Sequence, residues 1–270
     1  MKFRIIKVAG FTILAVAISL WVFASRSDSD ELRRDLLLKV ITFAINSGHY
    51  HPGEIDNGFS EKAFDFYIDN IDYAKRFLLK EDVDRMAKYR NELDDAFLNI
   101  DFEFLDLSTS ILDKRTLEAK DYYTDILSHP FDFSVDEKYE YDVDKIDFAK
   151  NQKELKERWR LSLKSEILSR IYDEMKDQEK AAEKIDTVTI KSFDEIEVMP
   201  GKSFKRYDDW FHRMSKFDDN DRLNTYVNSL LNVFDPHTQY FPPKQKEDFD
   251  IRFSGQLEGI GAHHTKKCIC

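Results

Sequence analysis

An all-α fold is what this sequence predicts, and three observations carry the prediction. Only 8 Gly and 6 Pro punctuate 270 residues, while Leu, Lys, Glu, Asp and Phe are plentiful, a composition that favours long helices over a many-stranded sheet. From about Glu31 onward the apolar residues recur at helical spacing, with charged residues between them. Finally, 42% hydrophobic content in a chain of this length is enough to build a core for one large domain or two small ones.

The elements follow in order. Lys2, Arg4 and Lys7 precede a run from Val8 to Ala24 without a charge, and Val22-Phe23-Ala24 resembles a small-x-small cleavage site before a polar stretch. Residues 1–24 therefore read as an export signal, or as an uncleaved membrane anchor, since the run is just long enough to span a bilayer. Either way the body is expected outside the cytoplasm, in a bacterial periplasm or held at the inner membrane. No cysteine precedes Lys267, so that body must hold together by its core and not by disulfides. Leu32, Leu36, Val40 and Phe43 form a first core stripe; Phe64, Ile68, Ile71 and Phe77 form a second.

A longer segment from about Glu92 to Leu127 carries Leu93, Phe97, Ile100, Phe104, Leu107, Ile111 and Leu117, consistent with one extended helix or two in series. Pro130 disfavours helix at His129, and Phe131 and Phe133 staple that break onto the helices. Asp136 to Asp147 is an acidic surface excursion. Leu155, Trp159, Leu163, Ile167 and Ile171 predict a helix over 152–178, and two shorter ones fit 204–214 and 221–234. Helix formers give way between Pro243 and Leu257, so the helical domain is expected over 30–243, a linker and the opening of another module over 244–262, and an aberrant tail over 263–270.

The charge balance excludes one function class. A net charge of −11 argues against a nucleic-acid partner, because such binding draws most of its affinity from clustered Lys and Arg. Specific chemistry is sparse. His49 and His51 flank Tyr50 near Glu54 and Asp56, too few ligands for a metal, and they read as exposed loop histidines. Pairs such as Asp94-Asp95, Asp208-Asp209 and Asp218-Asp219 are expected by chance among 52 acidic residues and mark solvated helix faces. Neither Gly-x-Ser-x-Gly nor His-Glu-x-x-His occurs, and no Gly-rich phosphate cradle is present. No cofactor, metal site or self-contained catalytic constellation is expected. His263, His264, Cys268 and Cys270 are ligand-rich, but a terminal segment without an apolar anchor would have to order itself around an ion.

Two motifs near the C-terminal end stand out. Asp235-Pro236-His237-Thr238 reads as a turn, with Pro236 fixing φ, Thr238 bonding locally, and Tyr240 and Phe241 packing the connection onward. It is expected to act as an interdomain hinge. Gln256-Leu257-Glu258 then runs as an apolar strand start into Gly259-Ile260-Gly261, the way a small peptide-binding module opens.

Several stretches together resemble the amino-terminal part of the tail-specific, or carboxy-terminal processing, serine proteases. Phe66 to Lys75 with Phe77-Leu78-Leu79 and Asp82 is similar to that family's early helical signature. Pro130 to Phe133 with Asp136-Glu137 is similar to its middle linker, and Arg206-Tyr207 with Trp210 to a later helix. Asn232 to Tyr240 and Leu257 to Ala262 are the most specific stretches, and the resemblance runs from about residue 30 to 262. It implies a multi-helix N-terminal domain with at most the first strand of a PDZ domain after it. In that family the PDZ domain captures substrate C-termini and a separate domain cuts with a serine nucleophile and a lysine base. Gly259, Ile260 and Gly261 then match the carboxylate-binding turn, where backbone N–H groups receive a chain-terminal carboxylate.

Past Ala262 the sequence departs from the family pattern, and the tail reads as residues following a frameshift or premature stop. Catalytic residues have no counterpart to name, so the chain alone is expected to be inactive. The expected role is a helical scaffold and adaptor-docking domain, with protein substrates or an adaptor as partners. Two alternatives stay open: a fragment of an active endopeptidase encoded across a frame disruption, and an unrelated periplasmic helical binding protein.

Overall fold

The computed structural model describes residues 31–49, 53–183, 191, 192, 196 and 200–254. Among them the chain is all-α, its single β feature an isolated bridge between Leu79 and Ala149. Helix α1 covers 31–48. It is followed by α2 (Asn57–Asp72), α3 (Lys80–Met86), α4 (Leu93–Asn99), α5 (Glu103–Leu127), α6 (Gln152–Ala182), α7 (Pro200–Met214), α8 (Asp219–Leu231) and α9 (Pro243–Ser254). Short 3₁₀ turns follow α3 and precede α6.

Side chains punctuate these helices where the backbone needs donors or acceptors satisfied. Asp56 caps α2 by accepting from Phe59 N at 3.0 Å, and Asn151 caps α6 by accepting from Glu154 N at 3.0 Å. At α8 the capping is reciprocal: Asp218 accepts from the amides of Asn220 and Asp221, and the Asp221 carboxylate accepts from Asp218 N. The 92–127 segment resolves into two helices in series. The break is at Ile100, which closes α4 in the left-handed region at φ 63.

Two apolar cores result, sharing Leu112 at their boundary. The first is built from α1, α2, α4, the first half of α5, and α8, around Phe59, Phe64, Phe97, Phe104 and Tyr226. The second joins the later half of α5 to α6 and α7, around Tyr123, Trp159, Tyr207 and Phe211. The α6 stripe is buried as expected at all five positions, Leu155, Trp159, Leu163, Ile167 and Ile171. Phe131 and Phe133 pack at the edge of this core, and their rings lie 6.1 Å apart.

The expected first stripe is corrected. Leu32, Leu36, Val40 and Phe43 are exposed, Phe43 at 72%, and α1 instead buries Leu38, Ile41 and Ile45. This helix has apolar residues nearly all round, so spacing alone does not choose the face. On the buried side Arg34 pairs with Asp106 of α5 at 2.9 Å and lies over the Phe102 ring at 4.5 Å. Arg34, Leu38, Ile41 and Ile45 share one face, turned two residues, or about 200°, from the expected one. Leu117 is likewise exposed at 66%, because α5 turns Arg115, Ala119 and Tyr123 inward. Residues 243–254, expected to begin a linker, form α9. The export segment 1–24 and everything from 255 onward lie outside the described residues.

Buried charge is compensated locally. Arg115, 4% exposed, makes a two-pronged contact with Asp82 (2.7 and 3.0 Å) and also reaches Glu118 and Glu81 at 2.8 Å. Asp72 closes the turn after α2 by accepting from the amides of Arg76, Phe77 and Leu78 at 2.8–3.0 Å. Burial pushes its carboxyl up to about 6 despite those bonds.

Candidate functional site

The site is the exit turn, where the chain leaves the helical core through Asp235-Pro236-His237-Thr238. Its geometry starts from α8. Leu223, Tyr226, Val227, Leu230 and Leu231 are buried on one face of that helix, which packs along α2. Asn70 of α2 donates to Ser229 Oγ at 2.9 Å, setting the register between the two helices. The Tyr226 ring crosses Tyr67 edge-on at 5.8 Å, and burial raises both phenols, Tyr67 to about 12.

After Leu231 the chain turns, and Phe234 drops its ring among Phe59 (5.1 Å), His49 (5.9 Å) and Phe97 (6.4 Å). The next four residues form a closed turn. Asp235 Oδ1 accepts from His237 N at 2.6 Å and the Asp235 carbonyl accepts from Thr238 N at 3.0 Å. Pro236 occupies the second position of that turn, where its fixed φ is pre-set. Asp235 and Thr238 are half-buried, whereas Pro236 and His237 face solvent.

Two braces tie this turn back to the core. His49, at the end of α1, meets Thr238 Oγ1 through Nε2 at 3.3 Å, across 189 residues of sequence. Asn228 of α8 clamps Tyr240 at both backbone groups: Oδ1 accepts from Tyr240 N at 2.7 Å, and Nδ2 donates to the Tyr240 carbonyl at 3.2 Å. Asn228 Nδ2 also donates to Asn224 Oδ1 at 2.8 Å, which orients the amide. Beyond the clamp, the Pro242 carbonyl accepts from Lys246 N at 2.9 Å to open α9, and Phe241 meets Phe249 at 5.8 Å.

The arrangement is a brace and not a reaction centre. The imidazole that touches the Thr238 hydroxyl packs against Phe234, as a structural contact would. No group of three His, Cys, Asp or Glu side chains among the described residues could hold a metal. The acidic pairs have structural work: Asp94 accepts from buried Ser60 Oγ at 2.6 Å, Asp208 from the Tyr123 hydroxyl at 3.4 Å, and Asp218 caps α8. The Asp221 amide holds the Asp218 carboxyl below its ordinary value.

His49, read from sequence as an exposed loop residue, is therefore half-buried and part of the exit turn. Asn228 was not singled out, and Phe234 entered only as part of the Asn232 to Tyr240 stretch. Asn228 stands among other polar residues of α8, Asn224, Thr225 and Ser229, so no signal in the sequence marked it. Gly259, Ile260, Gly261, His51, His263, His264, Cys268 and Cys270 lie outside the described residues.

Fold and site thus define a helical module whose exit segment is fastened to its own core. The chain belongs to the family described as the tail specific protease N-terminal domain, whose profile matches residues 41–244. That match ends two residues into α9, just past the clamped turn. A tail-specific protease of Haemophilus influenzae is 27% identical over 231 residues, covering 84% of this chain. The chain spans 30% of that relative's length.

Proposed function

We propose that this domain is the scaffold and adaptor-docking module of an exported, periplasmic tail-specific serine endopeptidase, which degrades proteins recognised by their C-termini. The observation that carries this reading is the double clamp of Asn228 on Tyr240, with His49 on Thr238 beside it. Such fastening gives the chain leaving the domain one direction, so a module attached beyond α9 would be held at a set position relative to the helical body. Gly259, Ile260 and Gly261 would then open a PDZ module that receives a substrate's terminal carboxylate. Cleavage would belong to a separate part supplying serine and lysine. Flexing would come from the residues past the clamp, since the turn from Asp235 to Thr238, the His237 amide included, and Tyr240 are tied down.

The test is a chimera in which this domain replaces the matching part of the Haemophilus influenzae protein. Expected is cleavage of a reporter with an apolar C-terminus, lost on adding a charged residue to that terminus. Asn228→Ala in the chimera should lower the cleavage rate while helix content is kept. Wild-type rates from the Asn228→Ala chimera would sink the positioning role.

A further inference from the structure

A half-open cavity of about 330 Å³ lies between the turn after α2, the 138–150 segment and the first turns of α6. It uses none of the exit turn's residues. Its charge runs against that of the chain. Lys75, Arg76, Lys138, Lys145, Lys150 and Arg158 all line it, in a protein whose net charge is −11. The three acids on the wall are Glu140, Asp147 and Glu154. Two of them have local partners: Glu154 takes Arg158 and the Lys150 amide, and Glu140 takes the Asp142 amide.

Four of the cations are left without an ion pair among the described residues: Lys75, whose Nζ is taken up by two backbone carbonyls, and Arg76, Lys138 and Lys150. Arg76 is the central one. Its guanidinium is half-buried, donates to Ser162 Oγ at 3.1 Å and lies over the Trp159 ring at 5.7 Å. The nearby Asp72 accepts from three backbone amides and attracts Arg76 electrostatically, but makes no direct ion pair with it. The wall itself is rigid. Lys75 holds the left-handed conformation at φ 51, and its Nζ donates to the carbonyls of Val143 (2.9 Å) and Ile146 (2.5 Å), strapping the loop over the turn. Trp159 Nε1 donates to the Arg76 carbonyl at 2.7 Å, locking the ring beneath the guanidinium.

We infer that this cavity binds a carboxylate joined to an apolar or aromatic group. Arg76, with Lys138 and Lys150 at the mouth, receives the carboxylate, and the half-buried Tyr139 and Phe148 receive the apolar part, with the buried Trp159 packed beneath Arg76. A compact inorganic anion would leave the Tyr139 and Phe148 surfaces uncovered, and an uncharged apolar ligand would cover the half-buried Arg76 without giving it an ion-pair partner. The volume falls in the range of small-ligand sites. Such a group can come from a free aromatic acid or from a carboxylate presented on a polypeptide.

The test follows the Trp159 indole N–H signal of the full chain by ¹H–¹⁵N NMR, assigned with Trp159→Phe. Four probes are titrated: 3-phenylpropanoate, N-acetyl-leucyl-phenylalanine, the amide of that dipeptide, and inorganic phosphate. Expected is a saturable shift with both carboxylates and none with the amide, phosphate being at least about tenfold weaker. A dipeptide affinity well above that of 3-phenylpropanoate identifies the polypeptide source; equal affinities identify the free acid.

Lys138→Glu combined with Lys150→Glu should weaken binding about tenfold or more. Both side chains are exposed, so the melting temperature should hold. Arg76→Gln should abolish saturation. Equal binding of acid and amide, phosphate as tight as either carboxylate, or an unmoved Trp159 signal at about 10 mM ligand would each overturn the assignment.

Discussion

Asn228→Ala is the sharpest perturbation of the exit turn, because it removes two bonds to a single residue without emptying a core position. The lost contacts are Tyr240 N to Oδ1 at 2.7 Å and Nδ2 to the Tyr240 carbonyl at 3.2 Å, both partly buried. A partly buried hydrogen bond contributes about 1 kcal/mol net, so the clamp holds the segment by about 2 kcal/mol, or roughly 30-fold in the equilibrium for local opening. Native-state hydrogen exchange reads this directly, since the Tyr240 amide is one of the two bonded groups. Its exchange should accelerate by about 30-fold, while amides in the middle of α6 change only by the smaller global effect. Asn228→Asp keeps the acceptor but loses the donor, and should give an intermediate acceleration. If Tyr240 exchanged at the wild-type rate in Asn228→Ala, Phe234 packing and the His49 contact would be holding the turn, and the clamp argument would fail.

Other outcomes follow from the same geometry. Burial raises the Asp72 carboxyl from its ordinary 3.8 to about 6, so the fold binds that proton more tightly than the unfolded chain does. The contribution is therefore fully present below about pH 4 and lost as pH rises through about 6, worth about 3 kcal/mol. Urea unfolding of wild type and Asp72→Asn across pH 4–7 should show that slope in the wild type alone, and parallel curves would contradict it. Arg115→Met strands the buried Asp82 carboxylate, and should lower stability by about 3–5 kcal/mol by chemical denaturation. On α1, Leu38→Ala should cost about 2–4 kcal/mol, whereas Phe43→Ser should stay within about 0.5 kcal/mol. The reverse order would restore the stripe rejected above.

Where pattern and packing agreed, the reason is visible in the residues. The α6 stripe repeats Leu155, Trp159, Leu163, Ile167 and Ile171 on one face with charged residues elsewhere, so only one rotation buries apolar area. The same holds for Phe64 and Ile68 on α2. Helix α1 offers Leu36, Leu37, Leu38, Val40, Ile41, Phe43 and Ile45, which leaves several faces equally apolar. There the face was settled by packing of Leu38, Ile41 and Ile45 into the first core, with the Arg34 pair to Asp106, 72 residues away, on the same side. The separate α4 and α5 were left open because no proline marks the break; a left-handed Ile100 does.

By itself the sequence determined the helical class, the positions of most helices, and the family through motifs such as Asn232 to Tyr240. All of these rest on local propensity, periodicity or contiguous residues, which are properties of a linear chain. Only the tertiary structure decided that His49 meets Thr238, that Asn228 grips Tyr240, and that Arg76 faces a cavity with no acid paired to it. These depend on which helix covers which face and on whether a partner remote in sequence arrives within hydrogen-bond distance. Burial and counter-charges are set by that three-dimensional packing, and no spacing along the chain encodes them.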